Sequence, residues 1–432
     1  MKRITRVDTY EVLDSRGLPT LKTRVWVDHE FMGEAMVPAG ASRGRHEAVE
    51  LRDGGARWMG KGVSRAVENV KSVIAPALIN VEADVAKVDN ILLDLDGTEN
   101  KSKLGANAIL SVSLATARAI AAYEKIPLYY LIGRLAGVEK DIIPTPMVNI
   151  ISGGHHAAWN LDIQDLLIIP IGAKNFVEAL ENVGAVYHNL KQLLMKKGLT
   201  TLLADEGGFS PDCRNHREAI ELILAAVEET GLTPKTDIAL ALDVAASHLF
   251  KDGSYMLSRE GLTLSSHELV DFLVDLCETY PIVSVEDGCG EDDLDGWQYL
   301  FQKLSGKVQI VGDDLFATNV KRIRMCSSLS LATASLIKPN QVGTLTETLE
   351  AIRLCKQLGI KPIVSARSGD TEDSFIADLA VGAACPQIKI GSIARSERTV
   401  KYNRLLEIER EQMGKAVYMG EKALNLCNNR CE

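Results

Sequence analysis

Residues 266–287 read SHELVDFLVDLCETYPIVSVED, an amphipathic segment of helical length followed by a short apolar run that ends in two carboxylates. Apolar residues recur at helical spacing over 266–280, and 282–287 has the length and character of a strand buried on both faces. Further runs of this kind are DLLIIP (165–170), TLLADEGG (201–208), IALALD (238–243), VQIVGDD (308–314), SLIKPN (335–340), KPIVSARSG (361–369) and QIKIGS (387–392). Helical patterns separate most of these runs. About eight strand–helix units over roughly 290 residues predict an α/β fold that closes into a parallel β/α barrel.

The chain before residue 136 has a different pattern. Three β-rich stretches, at 4–13, 21–27 and 31–37, precede helical patterns at 63–73 and 104–123. Strands followed by helices predict a compact α+β unit. We therefore expect one domain at 1–135 and a second, the barrel, at 136–432, with the Gly/Pro-bearing stretch 133–146 as the boundary.

The composition excludes several classes of protein. Of the 432 residues, 46% are hydrophobic and 25% are charged, which is enough apolar material to fold and excludes a disordered chain. We expect no membrane span and no secretion signal, because the apolar runs are short. The net charge of −10 argues against general nucleic-acid or anionic-membrane binding. The eight cysteines are scattered without C-x-x-C spacing, which favours free thiols and a cytoplasmic location.

Charged residues stand at or near the ends of the predicted strands. These are Glu206, Asp243, Glu286, Asp313, Lys338, Arg367 and Lys389. In a closed barrel the carboxyl ends of the strands converge on one rim, where barrel enzymes carry their active sites. The series therefore predicts a single site built from these side chains.

Three of them, Asp243, Glu286 and Asp313, are oxygen donors from successive predicted strands. Mg²⁺ prefers carboxylate ligands and often binds substrate oxygens as well. Without an ion, converging carboxylates would raise one another's pKa. The alternative is that the three residues cap separate helices, since Asp is also a common N-cap. We favour a magnesium site over caps.

Lys338, Arg367 and Lys389 bring positive charge to the same rim. Arg offers a planar fork for carboxylate or phosphate, whereas a Lys amine loses its proton more readily near other cations. A cationic half facing a metal half suits a small, multiply anionic substrate; ion pairing with the carboxylates is the alternative. Ser42 in PAGASRG (38–44) and His155 or His156 in SGGHH (152–156) could also reach the rim.

Several long motifs resemble the enolase family, the phosphopyruvate hydratases of glycolysis. They include AMVPAGAS (35–42), LDGTENKSKLGANAIL (95–110), DEGGF (205–209), VEDG (285–288), GDDLF (312–316), RSGDTED (367–373) and QIKIGS (387–392). The resemblance covers almost the whole chain. It implies an enolase-type barrel with an N-terminal α+β capping domain, and dehydration of 2-phosphoglycerate to phosphoenolpyruvate with two Mg²⁺ ions in the substrate-bound state. It also implies a homodimer or a higher oligomer of dimers.

The resemblance also implies roles for individual residues. Lys338 matches the base that removes the α-proton, and Glu206 matches the acid that helps the hydroxyl leave. Asp243, Glu286 and Asp313 match the ligands of the tighter Mg²⁺ ion, and Ser42 completes the second metal site. Positions that match substrate-contacting residues are His156, Gln164, Asp165, Arg367, Ser368 and Lys389.

Three residues depart from the family pattern. Ala366 stands where the family usually has His, Asp165 where it usually has Glu, and Arg43 where it usually has Thr. The first two changes fall on the side where the hydroxyl leaves. We therefore keep three hypotheses: an enolase, an enolase-like enzyme with another substrate or outcome, such as a carboxyphosphonoenolpyruvate synthase, and a non-catalytic protein. Retention of the three carboxylates and Lys338 argues against the last, because buried charges are costly.

Overall fold

The amino-terminal part of the protein contains a small antiparallel sheet and five α-helices. The computed structural model describes residues 2–40, 44–138 and 140–424. The sheet has the order β1 (Ile4–Leu13), β2 (Pro19–Val27) and β3 (Phe31–Met36). The helices are α1 (Ser64–Asn69), α2 (Ala75–Leu78), α3 (Val85–Asp96), α4 (Ala106–Glu124) and α5 (Leu128–Ala136). Helix α4 packs on β2 and β3. It is long and apolar enough to cross a membrane, but it is mostly buried inside the protein, as expected of a core helix.

A closed barrel of eight strands forms the second part, as the sequence predicts. In chain order, all strands of this part are β4 (Ile142–Ile143), β5 (Thr145–Ser152), β6 (Asp165–Ile169), β7 (Ala239–Asp243), β8 (Phe250–Lys251), β9 (Ser254–Leu257), β10 (Leu262–Leu264), β11 (Ile282–Glu286), β12 (Gln309–Gly312), β13 (Ala334–Ile337), β14 (Lys361–Ser365), β15 (Gln387–Gly391) and β16 (Val417–Tyr418). Around the barrel, the strands follow one another as β11, β12, β13, β14, β15, β5, β6 and β7.

Helices surround this barrel and connect most of its strands. They are α6 (Phe176–Lys196), α7 (His216–Glu229), α8 (Ser266–Thr279), α9 (Leu294–Leu304), α10 (Val320–Ser328), α11 (Pro339–Val342), α12 (Leu345–Gln357), α13 (Phe375–Gly382) and α14 (Ser396–Glu411). The strands carry apolar side chains on both faces, so each one is buried between the barrel interior and the helices. The division into two domains, 1–135 and 136–432, stays a prediction.

The prediction of eight parallel strands was wrong in two respects. The run 201–208 is not a strand but a loop between α6 and α7, and β5 supplies the eighth strand instead. Strand β6 runs antiparallel to both β5 and β7. The link from Ser152 to Asp165 is short and contains no long helix, so it can join only antiparallel neighbours.

The reversed direction of β6 matters for the site. Its first residue, Asp165, pairs in register with Asp243, the last residue of β7. The amino end of β6 therefore lies at the same rim as the carboxyl ends of the parallel strands. This explains how Asp165 and the preceding Gln164 reach a site built otherwise from strand ends.

One buried carboxylate joins the two parts of the protein. Asp89 of α3 is fully buried and accepts hydrogen bonds from the backbone N–H (2.9 Å) and the hydroxyl (2.6 Å) of Thr346, at the start of α12. Burial raises the pKa of Asp89 to about 6, and its hydrogen bonds offset only part of this effect. Because the pKa is raised in the folded state, this carboxylate destabilises the fold above pH 6 and its cost disappears as the pH falls toward 4.

We expect Asp89→Asn to raise the free energy of unfolding by about 1–3 kcal/mol at pH 7. The amide keeps an acceptor for Thr346 and removes the buried charge. Urea unfolding at pH 7 and pH 5 measures the change, which is expected to shrink at pH 5, where the wild-type side chain is largely protonated. The exposed helix cap Asp84→Asn is the matched control and should change stability little, since Asn caps as well as Asp. A gain of equal size at both pH values would contradict the prediction.

Candidate active site

Nearly all the residues predicted from the sequence meet at one rim of the barrel. A cavity of about 50 Å³ is lined by His156, Gln164, Glu206, Asp243, Asp313, Lys338, Arg367, Ser368 and Lys389. Asp165 and Glu286 join this set through contacts with His156 and Lys389. Ser42 and Arg43 lie outside the described residues, so their predicted places stay untested.

The three predicted metal ligands come from adjacent strands. Asp243 and Glu286 end β7 and β11 and pair in register, and Asp313 directly follows β12. None of the three caps a helix; the N-caps of α8, α9 and α10 are Ser265, Asp293 and Asn319. The capping alternative therefore does not describe these carboxylates.

Lysine side chains bind the same carboxylates. The Nζ of Lys389 donates to Asp243 Oδ2 (2.6 Å) and Glu286 Oε2 (2.7 Å), and the Nζ of Lys338 contacts Asp313 Oδ2. Gln164 Nε2 also donates to Asp243 Oδ2, over 3.3 Å. The ion pairing that the sequence left open as an alternative is thus present. The ammonium groups of the two lysines therefore contact the carboxylate oxygens that are proposed to bind a metal cation.

Lys338 has a higher pKa than the sequence interpretation implied for a lysine that acts as a base. Burial opposes that charge, yet the adjacent Asp313 carboxylate raises the pKa of Lys338 above its usual range. Lys389 acts in the opposite direction, as expected, but does not outweigh Asp313. The amine of Lys338 is therefore protonated while it contacts Asp313, and it accepts a proton only when that contact is weakened.

The chemistry of the carboxylates fits a magnesium ion. Burial, followed by the negative charge of Asp243, raises the pKa of Glu286 well above its usual range. A cation beside Glu286 would favour its charged form. Asp243, Glu286 and Asp313 offer the hard oxygen donors that Mg²⁺ prefers and would hold it, but among the described residues Asp313 converges within 4.8 Å with Asp287 and Asp314 rather than with Asp243 and Glu286. The neighbouring Asp287 binds the backbone N–H groups of Asp313 and Asp314, each over 2.9 Å, and so holds the turn after β12.

A second cluster contributes to the same cavity, beside Asp243. His156 Nδ1 is 3.1 Å from Asp165 Oδ2, and His156 Nε2 is 4.0 Å from Glu206 Oε1. Burial disfavours charge on His156, but Asp165 and Glu206 together raise its pKa to about 9. Burial acts against the charge of Glu206 as well, but His156 and Arg398 hold its pKa below the usual range. At neutral pH the cluster thus contains an imidazolium beside an ionised Glu206.

The loop that carries Glu206 reaches this cluster without being a strand. The Glu206 carbonyl accepts the N–H of Ser392 over 2.9 Å, directly after β15. The next residue, Gly207, has φ +89°, and a Cβ there would lie 2.7 Å from the Ala394 carbonyl oxygen. The DEGG sequence therefore forms a turn that rests on the end of β15, which explains why the strand prediction failed here.

Ala366 forms part of the cavity wall. Its N–H donates to the Lys389 carbonyl over 2.8 Å, and it lines the same cavity as Glu206. Ser365 and Ala366 also border an apolar cavity of about 30 Å³, which Leu110, Leu114 and Phe375 line. Ala366 therefore lies between the polar cavity and this apolar cavity, at the position where the family pattern usually has a histidine.

Two contributors were missed by the sequence interpretation. Glu47 binds Arg367 (Nη1 to Oε2, 2.8 Å) and lines the cavity, and Gln341 Nε2 donates to Asp313 Oδ1 over 3.0 Å. Glu47 follows no predicted strand and comes from the amino-terminal part of the chain. The signal that could have found it was its place within EAVELRDGG (47–55), one of the motifs that resemble the family.

Two family models match the chain. The model described as the enolase N-terminal domain matches residues 4–132, and the model described as the enolase C-terminal TIM barrel domain matches residues 140–426. Together they span nearly the entire sequence and agree with the two parts of the fold. The matched regions contain every described residue of the candidate site.

Proposed function

Because the chain belongs to the enolase family, we propose that it is a Mg²⁺-dependent lyase that dehydrates 2-phosphoglycerate to phosphoenolpyruvate. The observation that carries this proposal is that two groups of side chains meet at one cavity. Lys338, Lys389 and the three carboxylates form one group, and His156, Asp165 and Glu206 form the other. This arrangement suits removal of a proton at one carbon and loss of a hydroxyl at the next.

The first half of the reaction needs concentrated positive charge. A proton beside a carboxylate is weakly acidic, since its loss adds negative charge to an anion. Mg²⁺, which the family generally uses, supplies positive charge for this step and would be held by Asp243, Glu286 and Asp313, with Ser42 proposed at a second ion. Arg367 and Lys389 bind the anionic groups of the substrate. Lys338 accepts the proton after its amine has released its own proton to solvent, which a weaker contact with Asp313 favours.

The second half needs a proton for the departing oxygen. As the carbon–oxygen bond breaks, its electron pair remains with the oxygen, which takes a proton from the cluster of Glu206, Asp165 and His156 and leaves as water. The electron pair left by proton abstraction forms the new double bond. Gln164 and Ser368 complete the proposed substrate contacts.

The test of this proposal is Mg²⁺-dependent formation of the enol product, followed by its ultraviolet absorbance. No product at saturating Mg²⁺ from well-folded protein would overturn it. Glu286→Gln is expected to weaken Mg²⁺ binding by about 10- to 100-fold or more in calorimetry, because it removes one charged donor. The exposed Glu278→Gln on α8 is the matched control and should bind Mg²⁺ as the wild type does. Equal affinities of Glu286→Gln and wild type would exclude Glu286 as a ligand.

A second candidate function rests on Ala366. Its small side chain favours an enzyme that retains proton abstraction but differs in its substrate or in the step after enolisation, as a carboxyphosphonoenolpyruvate synthase does. Exchange of the α-proton with solvent deuterium, without loss of water, would favour this candidate. Elimination at a rate matching exchange would favour dehydration.

The remaining expectations are also proposals. We propose a cytoplasmic enzyme that acts on a small phosphorylated hydroxy acid, does not bind nucleic acid or membranes, and assembles as a homodimer or an oligomer of dimers. Light scattering on purified protein measures the assembly. A monomer at micromolar concentration would contradict it.

A further inference from the structure

A histidine outside the cavity holds the loop that carries part of the candidate site. The loop runs from Gly153 to Gln164, between β5 and β6, and contains His156. His216, the first residue of α7, is completely buried beside the end of this loop. Its Nε2 lies 3.1 Å from the backbone nitrogen of Asp162 and 3.0 Å from that of Ile163.

These contacts define which nitrogen of the ring carries a proton. A backbone N–H group can only donate a hydrogen bond. Because Nε2 accepts from both N–H groups, it must offer its lone pair and carry no proton. The other nitrogen, Nδ1, contacts Glu260 Oε1, which also accepts the backbone N–H of His216 over 2.9 Å. Nδ1 therefore donates to Glu260. The geometry requires a neutral imidazole with its proton on Nδ1.

The turn between β9 and β10 completes the arrangement. Arg259 donates its backbone N–H to the Asp162 carboxylate (2.9 Å), its Nη2 to Asp212 (2.7 Å) and its Nε to the Trp159 carbonyl (3.4 Å). We call His216, Arg259 and Glu260 the loop clamp. Its contacts with the loop fall on Trp159, Asp162 and Ile163, shortly before Gln164 and Asp165.

We propose that His216 is a positioning residue for the candidate site, acting as a neutral acceptor that sets where Gln164 and Asp165 stand. Gln164 donates to Asp243, and Asp165 contacts His156, so a shift of the backbone at Asp162 and Ile163 disturbs contacts in both clusters of the cavity. The effect of His216 on turnover rests on the proposed function. Its protonation state does not.

Nitrogen NMR on protein labelled with ¹⁵N-histidine tests the acceptor role directly. His216→Gln identifies the resonances of His216 by their disappearance. At pH 7 we expect the Nε2 of His216 to resonate as a non-protonated imidazole nitrogen and Nδ1 to carry the proton. A protonated Nε2 would overturn the proposal whether or not the protein dehydrates 2-phosphoglycerate.

Steady-state kinetics test the positioning role. His216→Phe keeps a buried ring but removes the acceptor, and we expect kcat/KM to fall about 10- to 100-fold, since small displacements of site residues have effects of this size. Because Gln164 is a proposed substrate contact, KM should rise more than kcat falls. His216→Gln offers an amide oxygen to the same N–H groups and should recover part of the loss.

Phe272→Leu is the matched control, because Phe272 of α8 packs edge-on against the ring of His216 and its side chain has no hydrogen-bonding group. We expect it to retain the wild-type KM. An equal rise of KM in Phe272→Leu and His216→Phe would reduce His216 to a packing role and overturn the proposal, as would an unchanged kcat/KM in His216→Phe. If His216→Phe does not fold, Glu260→Gln and Glu260→Ala replace it. The first keeps the oxygen that accepts from Nδ1 and should match the wild type, whereas the second should raise KM. Equal KM values in these two variants would overturn the proposal.

Discussion

Replacing Lys338 with methionine is expected to slow exchange of the substrate's α-proton with solvent by about 10²- to 10⁴-fold, the usual contribution of a positioned general base. Methionine keeps the length of the side chain but removes the amine that contacts Asp313. Proton NMR of 2-phosphoglycerate in deuterium oxide at saturating Mg²⁺ measures the exchange. Product formation should fall by at least as much, since it depends on the same step.

The control for this variant is Lys321→Met. Lys321 lies on α10. Its side chain is exposed and pairs with Glu99 rather than with a site residue. We expect exchange at the wild-type rate. If Lys338→Met also exchanged at the wild-type rate, another group would have to be the base, and the proposed role of Lys338 would be wrong.

Ala366→His is expected to raise the rate of dehydration relative to the rate of α-proton exchange by about 10²- to 10³-fold. One hydrogen-bonding group aimed at developing charge stabilises a transition state by about 3–4 kcal/mol. Ala366 and Glu206 line the same cavity, and we propose that a histidine at position 366 would reach the departing oxygen. The two rates are measured on one sample, by deuterium incorporation and by absorbance of the enol product.

Ala366→Leu separates the effect of the imidazole from the effect of filling space. We expect it to leave the ratio of the two rates unchanged or to lower it, because leucine adds volume without a proton donor. Equal ratios in wild type and Ala366→His would show that Ala366 does not limit water loss. A wild type that exchanges without eliminating, joined with a gain in Ala366→His, would support the altered-outcome candidate.

The strand interpretation succeeded where one strand and one helix alternate. The runs around IALALD, IVSVED and VQIVGDD became β7, β11 and β12 because an apolar strand buried on both faces has a recognisable composition. The run 201–208 has the same composition but ends in a glycine turn that packs on β15. Composition alone did not distinguish a strand from a loop that is buried against another element.

The sequence predicted which residues belong to the candidate site better than it predicted the contacts between them. The spacing of Asp243, Glu286 and Asp313 along the chain implied a shared rim, and the structure has them on adjacent strands. The pairing of Lys338 with Asp313 and of Arg367 with Glu47 depends on side-chain positions that no linear pattern records. The raised pKa of Lys338 therefore differed from the sequence expectation.

The sequence by itself determined the barrel and the set of charges that meet at one rim, because apolar periodicity and strand-end carboxylates are local features of the chain. Its long motifs, through their resemblance, indicated the family. Only the tertiary structure decided the direction of β6, the contribution of Glu47 and the fixing of residues 162 and 163 by His216. Each of these depends on contacts between residues far apart in the chain, and the free energy of such contacts arises only when the elements pack.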